Sequence, residues 1–431
     1  MDRIAIFGGA RLEGTIPISG AKNSAIKLMA ASLLTDEPLR LTNMPRLADT
    51  LFLGRLLQRL GASVVESDGP DGPQTVLHTP EVHGAIAPYN LVRQMRASFN
   101  VLGPLLARTG QAKVSLPGGC TIGERPVDLH LKALEALGAR IELHEGYVYA
   151  QATRGLIGAE IEFPFVSVGA TEHAILAAVL AEGTTVLRHA ACEPEIGDLI
   201  HCLTSMGAKI SGVDTFTLEI TGVRRLSGAT HAVIPDRIET GAYACAAAMA
   251  GGDVRLTATQ VPFVQRLLDK MIEAGVQVDS DSEAGEIRIR RDAGKRLKAV
   301  NLVTDPYPGF PTDLQAPFMA LMTTAVGESH VRETIFENRF MHAPELTRLG
   351  ADIAVSGGEA RVRGREQLYG AEVMATDLRA SVSLVIAALA AKGETIVNRI
   401  YHLDRGFERL EQKLGDCGAK IRRIKGDGEE P

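Results

Sequence analysis

Six stretches of this chain are apolar almost all the way round a helical period. They read SGAKNSAIKLMAASLL, VRQMRASFNVLGPLLA, SVGATEHAILAAVLA, DRIETGAYACAAAMA, FPTDLQAPFMALMTTA and ATDLRASVSLVIAALA. Each has a polar start and an alanine-rich body. A helix without a polar face is buried rather than laid on a surface. A short β-rich run follows each one: PLRLTN, KVSLPG, TTVLRH, DVRLTA, HVRETI and TIVNRI. A second helix then ends at a small-residue motif, with its glycine at Gly61, Gly138, Gly207, Gly275, Gly350 and Gly418. Each glycine fits the position just past a helix end, where the backbone turns left-handed.

The intervals between these glycines are 77, 69, 68, 75 and 68 residues. The pattern predicts one unit, helix–strand–loop–helix–strand, written six times. Six units divide into three plus three, over residues 22–234 and 235–431. Residues 1–21 hold two more strand patterns, RIAIFGG and GTIPIS. They are assigned to the second domain, so the chain crosses between domains near 21 and near 235. The expected fold class is α/β, with two three-repeat domains. A six-unit solenoid is disfavoured, because the buried helices need a closed centre and no capping unit is evident.

Composition narrows the function. A chain of 431 residues exceeds one small core, and 45% hydrophobic with 23% charged residues is ordinary for a globular protein. The net charge is −6 without a long basic run, which argues against binding along a nucleic-acid duplex. No apolar stretch approaches the roughly 18–20 residues that span a bilayer. The start, MDRIAIFGGARLEG, is not a secretory signal. Five scattered cysteines form no CxxC and no zinc spacing. The expectation is a cytoplasmic protein with reduced thiols and no metal, membrane or nucleic-acid partner.

Charged and polar residues gather at the helix starts. Lys22 and Asn23 begin the first, Arg96 lies in the second, Asp313 starts the fifth, and Asp377 and Arg379 start the sixth. Helix N-termini sharing one face give it a positive field and free N–H donors. Two such domains facing each other would bracket an anionic ligand. Arg96, Arg125, Arg339, Arg379 and Arg405 all fall at unit starts or in loops between units. Arginine forks match carboxylates and phosphates, so the set predicts a cleft for a multiply charged ligand.

Several candidates carry two readings. Cys120, in SLPGGCTIGERPVDLH, sits in a glycine loop with Arg125 five residues on. A thiol there can exchange protons near neutral pH, or it can be packing. Cys192, Cys202, Cys245 and Cys417 read as packing. Lys22 opposes its helix dipole unless an anion is present, and is otherwise a solvated lysine. Asp313 is either a base for a hydroxyl proton or a helix cap. His130 reads as structural. No phosphate-binding loop or dinucleotide fingerprint occurs.

In order, SGAKNS, VRQMRAS, SLPGGCTIGERPVDLH, SVGAT, PDRIETG, FPTDLQAP, ENRFMH, ATDLRAS and IYHLDRGFERLE resemble the UDP-N-acetylglucosamine enolpyruvyl transferase family. That family belongs to the enolpyruvyl transferases shared with EPSP synthase. Each motif is modest by itself; nine in order, from about residue 5 to 425, are specific. The resemblance implies two inside-out α/β barrel domains with pseudo-threefold repeats, joined by a double-crossover hinge. It implies transfer of enolpyruvyl from phosphoenolpyruvate to the 3′-hydroxyl of UDP-N-acetylglucosamine, with phosphate released and no cofactor. This is the first committed step of bacterial peptidoglycan synthesis. Lys22, Arg125 and Arg405 would hold phosphoenolpyruvate, with Asn23 and Arg96 beside them. Arg125, Pro126, Val127, Asp128 and Leu129, together with Phe165, Val166, Ser167, Val168 and Gly169, would contact the nucleotide sugar. Ile335 would lie near the uridine, with Arg339 and Arg379 among the binding residues. Asp313 would be the sugar-hydroxyl base. Cys120 would be the general acid and the covalent target of fosfomycin.

The chain departs from the family locally. Some members carry lysine at the positions of Ala48 and Phe165, and tryptophan at Asn100. Arg46 is a candidate to replace the missing phosphate contacts, and a related nucleotide sugar stays open as substrate. An enolpyruvyl shikimate-phosphate synthase is the nearest rival. A UDP-sugar-binding regulator without catalysis is the alternative from another class.

Overall fold

The computed structural model describes residues 1–70, 72–93, 95–117, 127–292 and 294–426. The chain divides into two compact units. One runs from Gly20 to Ile234; the other joins Met1–Ser19 to the chain from Pro235 onward.

Each of the six apolar stretches forms a buried helix. In the Gly20–Ile234 unit these are Lys22–Ala31, Leu102–Thr109 and Val168–Ala178. In the other they are Arg237–Ala250, Gln315–Met322 and Val382–Ala390, which pack on one another. Every residue from Val382 to Leu389 is buried, as a helix without a polar face requires.

Three of the expected helix starts are different in form. Arg96–Val101 and Thr312–Leu314 are 3-10 turns that lead into α-helices. Pro104 and Pro317 then occupy the third residue of those α-helices, inside the first turn where a missing N–H breaks no bond. Asp377 and Arg379 precede their helix rather than start it. The Asp377 carboxylate accepts from the N–H groups of Arg379 and Ala380, at 2.9 and 2.7 Å, and folds the segment into a turn.

A strand follows each buried helix: Leu39–Thr42, Gln111–Ser115, Thr184–Arg188, Gly252–Thr257, Glu328–Arg332 and Glu394–Asn398. Each of these lies second in a four-stranded sheet, with one parallel neighbour on one side and an antiparallel pair on the other. The two N-terminal strands fill gaps in this scheme. Arg3–Phe7 lies antiparallel between Glu394–Asn398 and Lys420–Ile424. Leu12–Pro17 is the parallel neighbour of Gly252–Thr257. Likewise Ala229–Ala232, at the end of the Gly20–Ile234 unit, pairs with Leu39–Thr42 near its beginning. Alternate strand residues turn inward onto the helices: Leu218 and Ile220 are buried while Thr217, Glu219 and Thr221 are exposed. Sheets thus cover a helical interior in each unit.

The six repeat glycines all adopt positive φ, from 90° at Gly138 to 105° at Gly61. The left-handed turn after each second helix is therefore real at every repeat. Among the described residues no helix is long and apolar enough to cross a membrane.

Candidate active site

In the unit that contains Pro235 onward, the starts of the buried helices bring opposite charges together. Asp236 caps the helix Arg237–Ala250, its Oδ1 accepting from the N–H groups of Ile238 and Glu239 at 2.8 and 3.0 Å. Its other oxygen accepts from Arg379 Nη2 at 3.0 Å. Arg379 also donates from Nη1 to the Gly406 carbonyl at 2.8 Å, and its guanidinium lies 5.5 Å from the centre of the Phe407 ring. Asp313, in the turn before Gln315–Met322, accepts from Arg339 Nη2 at 2.6 Å. Arg339 is 5% exposed, so this charge-assisted bond is little screened.

This arrangement decides the state of Asp313. Burial pushes its carboxyl up, but the charges of Arg339, Arg379 and Arg237 outweigh burial and hold it at about 2. Asp313 is an anion at neutral pH, bonded to a guanidinium. The helix-cap reading does not hold, because no side chain caps this turn and the carboxylate faces Arg339.

Two further residues fix the site. Glu333 Oε1 accepts from Thr304 Oγ1 at 2.9 Å and from the Ile335 N–H at 2.8 Å, while Oε2 accepts from Thr312 Oγ1 at 2.9 Å. One buried carboxylate so ties the segment before Asp313 to the segment carrying Ile335. Gly241 allows close packing from the other side, since a Cβ there would meet Leu314 Cδ1 at 2.5 Å. Sequence reasoning missed Asp236, Glu333 and Gly241. Asp236 had a signal, a capping residue in PDRIETG before a buried helix. Glu333 had none, because the two hydroxyls it binds, on Thr304 and Thr312, lie about 20–30 residues away in sequence.

Within the Gly20–Ile234 unit, Lys22 is buried and its Nζ lies 3.0 Å from Asp49 Oδ2. The solvated-lysine reading is therefore corrected: Asp49, fully buried, draws the amine inward. Asn23 and Arg96 are half-buried. Ser167 caps the helix Val168–Ala178 by accepting the Ala170 N–H at 3.4 Å. Phe165 is 63% exposed and Val168 36%, while Val166 and Gly169 are half-buried. Leu129 is buried and Asp128 exposed, 3.7 Å from Lys132. Val127 is half-buried, and Arg46 meets Asp68 at the surface. Asn100 is buried at the end of the Arg96 turn, and Ala48 starts the helix that carries Asp49.

In the other unit, Ile335 is half-buried, and Arg405, also half-buried, ends the short helix Tyr401–Asp404. Cys120, Arg125 and Pro126 lie outside the described residues. The remaining cysteines are buried and unpaired. Burial pushes the Cys192 thiol up to about 11 and Cys202 to about 12, and raises Cys245 and Cys417 as well. Such thiols are inert packing groups. Among the described residues no cluster of three or more potential ligands is placed to hold a metal.

Comparison with known proteins extends this picture over the whole chain. The family model for EPSP synthase (3-phosphoshikimate 1-carboxyvinyltransferase) matches residues 6–414. The UDP-N-acetylglucosamine 1-carboxyvinyltransferase of Caulobacter vibrioides is 75% identical over 429 residues, covering 100% of this chain and 99% of that one. Among solved structures, the enolpyruvyl transferase NikO from Streptomyces tendae superposes with a TM-score of 0.87 at 28% identity, over 99% of each chain. EPSP synthase from Acinetobacter baumannii shares the fold, with a TM-score of 0.76 at 18% identity over 99% of this chain and 100% of that one. The family match, the near-complete overlap at high identity and the repeated α/β architecture agree: the chain belongs to the EPSP synthase family of enolpyruvyl (carboxyvinyl) transferases, and within it to the UDP-N-acetylglucosamine 1-carboxyvinyltransferases.

Proposed function

We propose that this protein transfers the enolpyruvyl group of phosphoenolpyruvate to the 3′-hydroxyl of UDP-N-acetylglucosamine and releases phosphate, in the cytoplasm, as the first committed step of peptidoglycan synthesis. The observation that carries the reading is the 75% identity to a named UDP-N-acetylglucosamine 1-carboxyvinyltransferase along the full chain. The two domains are read as residues 22–234, and 1–21 with 235–431, joined by a double crossover.

The reaction makes one C–O bond and breaks another. The sugar oxygen attacks C2 of phosphoenolpyruvate while its methylene carbon takes a proton. The addition product then loses a methyl proton and phosphate, which leaves the enol ether. Cys120 is assigned the proton delivered to the methylene carbon, and Asp313 the proton leaving the sugar oxygen. Lys22, Asn23, Arg96, Arg125 and Arg405 are assigned to the charges of phosphoenolpyruvate.

Asp313 at about 2 is a weak base. This suits proton removal late rather than early. An alcohol oxygen that has formed its third bond is a far stronger acid than a free hydroxyl, so an anion of low basicity can take its proton. The guanidinium of Arg339 keeps Asp313 ionised for that moment. A phosphate-release assay with the two substrates tests the function.

A further inference from the structure

The helix Lys22–Ala31 begins without a cap of its own. Its N-cap residue is Ala21, which has no side-chain acceptor, and no acidic residue stands in its first turn. The first N–H groups of a helix have no carbonyl to bond within it, so an uncapped start frays unless something outside holds it. Two residues of this start, Lys22 and Asn23, are among those assigned to phosphoenolpyruvate.

The hold comes from the helix Pro194–Ser205, which packs against this one. Its Asp198 is buried. Ser24, the third residue of the Lys22 helix and also buried, donates from Oγ to Asp198 Oδ2. The Ile234 N–H reaches the same oxygen at 3.4 Å. The Ile234 carbonyl in turn accepts the Ala21 N–H at 2.7 Å. Ser24, Asp198, Ile234 and Ala21 thus close a ring of hydrogen bonds around the helix start. The other carboxylate oxygen, Oδ1, lies 2.7 Å from His231 Nε2, which ties Asp198 to the strand Ala229–Ala232.

The two arms of Asp198 end in different places. One ends on the backbone turn that carries Lys22 and Asn23, the other on the sheet. A hydrogen bond to a carboxylate is stronger than one between neutral groups, and burial spares it from screening. A carboxylate beside a helix N-terminus also suits the helix dipole. Asp49 holds the Lys22 amine; Asp198 holds the turn from which that amine extends.

Resting on the proposed function, we propose that Asp198 is a positioning residue for phosphoenolpyruvate, which acts through Ser24 to hold the helix start bearing Lys22 and Asn23.

Kinetics of the full chain separate this role from a merely structural one. Ser24→Ala removes the arm to the helix and should raise the KM for phosphoenolpyruvate about fivefold. The KM for UDP-N-acetylglucosamine and kcat should stay within about twofold of the parent. In Asp198→Asn the amide oxygen can still accept, without charge, so the rise should be smaller. The double variant should match Ser24→Ala, since both changes act on one link. His231→Ala cuts only the arm to the sheet, and should lower the melting temperature while leaving the KM for phosphoenolpyruvate near the parent value. An unchanged KM in Ser24→Ala, additive rises in the double variant, or an equal rise in His231→Ala would overturn the proposal. Ser24→Ala decides by itself should Asp198→Asn fail to fold.

Hydrogen exchange reads the anchor without substrate. The Ala21 and Ala25 amides, bonded to Ile234 and Ala21, should exchange at least about fivefold faster in Ser24→Ala, while those of the helix Val168–Ala178 keep their rates. Unchanged rates at Ala21 and Ala25, or faster exchange in both helices alike, would overturn the anchor. A parent that releases no phosphate would instead overturn the functional reading, and the role toward phosphoenolpyruvate with it, while exchange still decides whether Asp198 holds the helix start.

Discussion

Arg339 donates to Asp313 at 2.6 Å, and the pair sits where the charges of Arg379 and Arg237 also reach the carboxylate. An acid proposed to take a proton is thus held firmly ionised. Replacing Asp313 by Asn keeps the shape but removes the acceptor. Turnover should fall by at least a hundredfold, within the usual range for a lost general base, while UDP-N-acetylglucosamine binding by calorimetry changes little. A fully active Asp313→Asn would remove Asp313 from the chemistry.

The same pair gives a pH signature in stability. Asp313 titrates at about 2 in the fold, below its ordinary value of 3.8. A depressed pKa contributes stability that is present above the unfolded value and is lost as pH falls through the folded one. Urea unfolding should therefore show a gap between parent and Asp313→Asn that is wide at about pH 5 and narrows toward about pH 2. A gap that stays constant would mean that the ion pair adds nothing.

Lys22 and Asp49 allow binding to be separated from folding. Lys22→Ala should lower turnover at least tenfold, since a charge-assisted contact is worth about 1.5–3 kcal/mol. It should also lower the melting temperature, because fully buried Asp49 loses this charge partner. Adding Asp49→Asn should restore much of the melting temperature without restoring activity. Recovered activity in the double variant would show that Lys22 serves the fold alone.

Cys120 should be the thiol that fosfomycin alkylates. Intact mass after treatment should rise by one adduct, with peptide mapping placing it in residues 115–130. The buried thiols of Cys192, Cys202, Cys245 and Cys417 should stay unmodified, since burial raises each of them. Cys120→Ser should be nearly inactive, and Cys120→Asp active but insensitive to fosfomycin. Labelling at a buried cysteine, or an active Cys120→Ser, would contradict the assignment.

The repeat was legible because it is a matter of period and composition. Helices without a polar face, the strands after them and a glycine at every second helix end are all local signals, and Gly61 through Gly418 keep the expected positive φ. Details at the helix starts were not legible. Whether Asp313 caps a helix or faces a guanidinium depends on Arg339, 26 residues away, and nothing at either position encodes that distance. Lys22 looked solvated because its partner Asp49 lies on a different helix. The pairing of His130 with His173, 43 residues apart, joins two helices as well and was equally hidden from local sequence.

The most direct measurement is phosphate release by the purified full chain with phosphoenolpyruvate and a choice of acceptor. The account predicts steady release with UDP-N-acetylglucosamine, none with shikimate 3-phosphate, and a product heavier than the nucleotide sugar by one enolpyruvyl group. Release with shikimate 3-phosphate, or calorimetric binding of UDP-N-acetylglucosamine without any release, would contradict it.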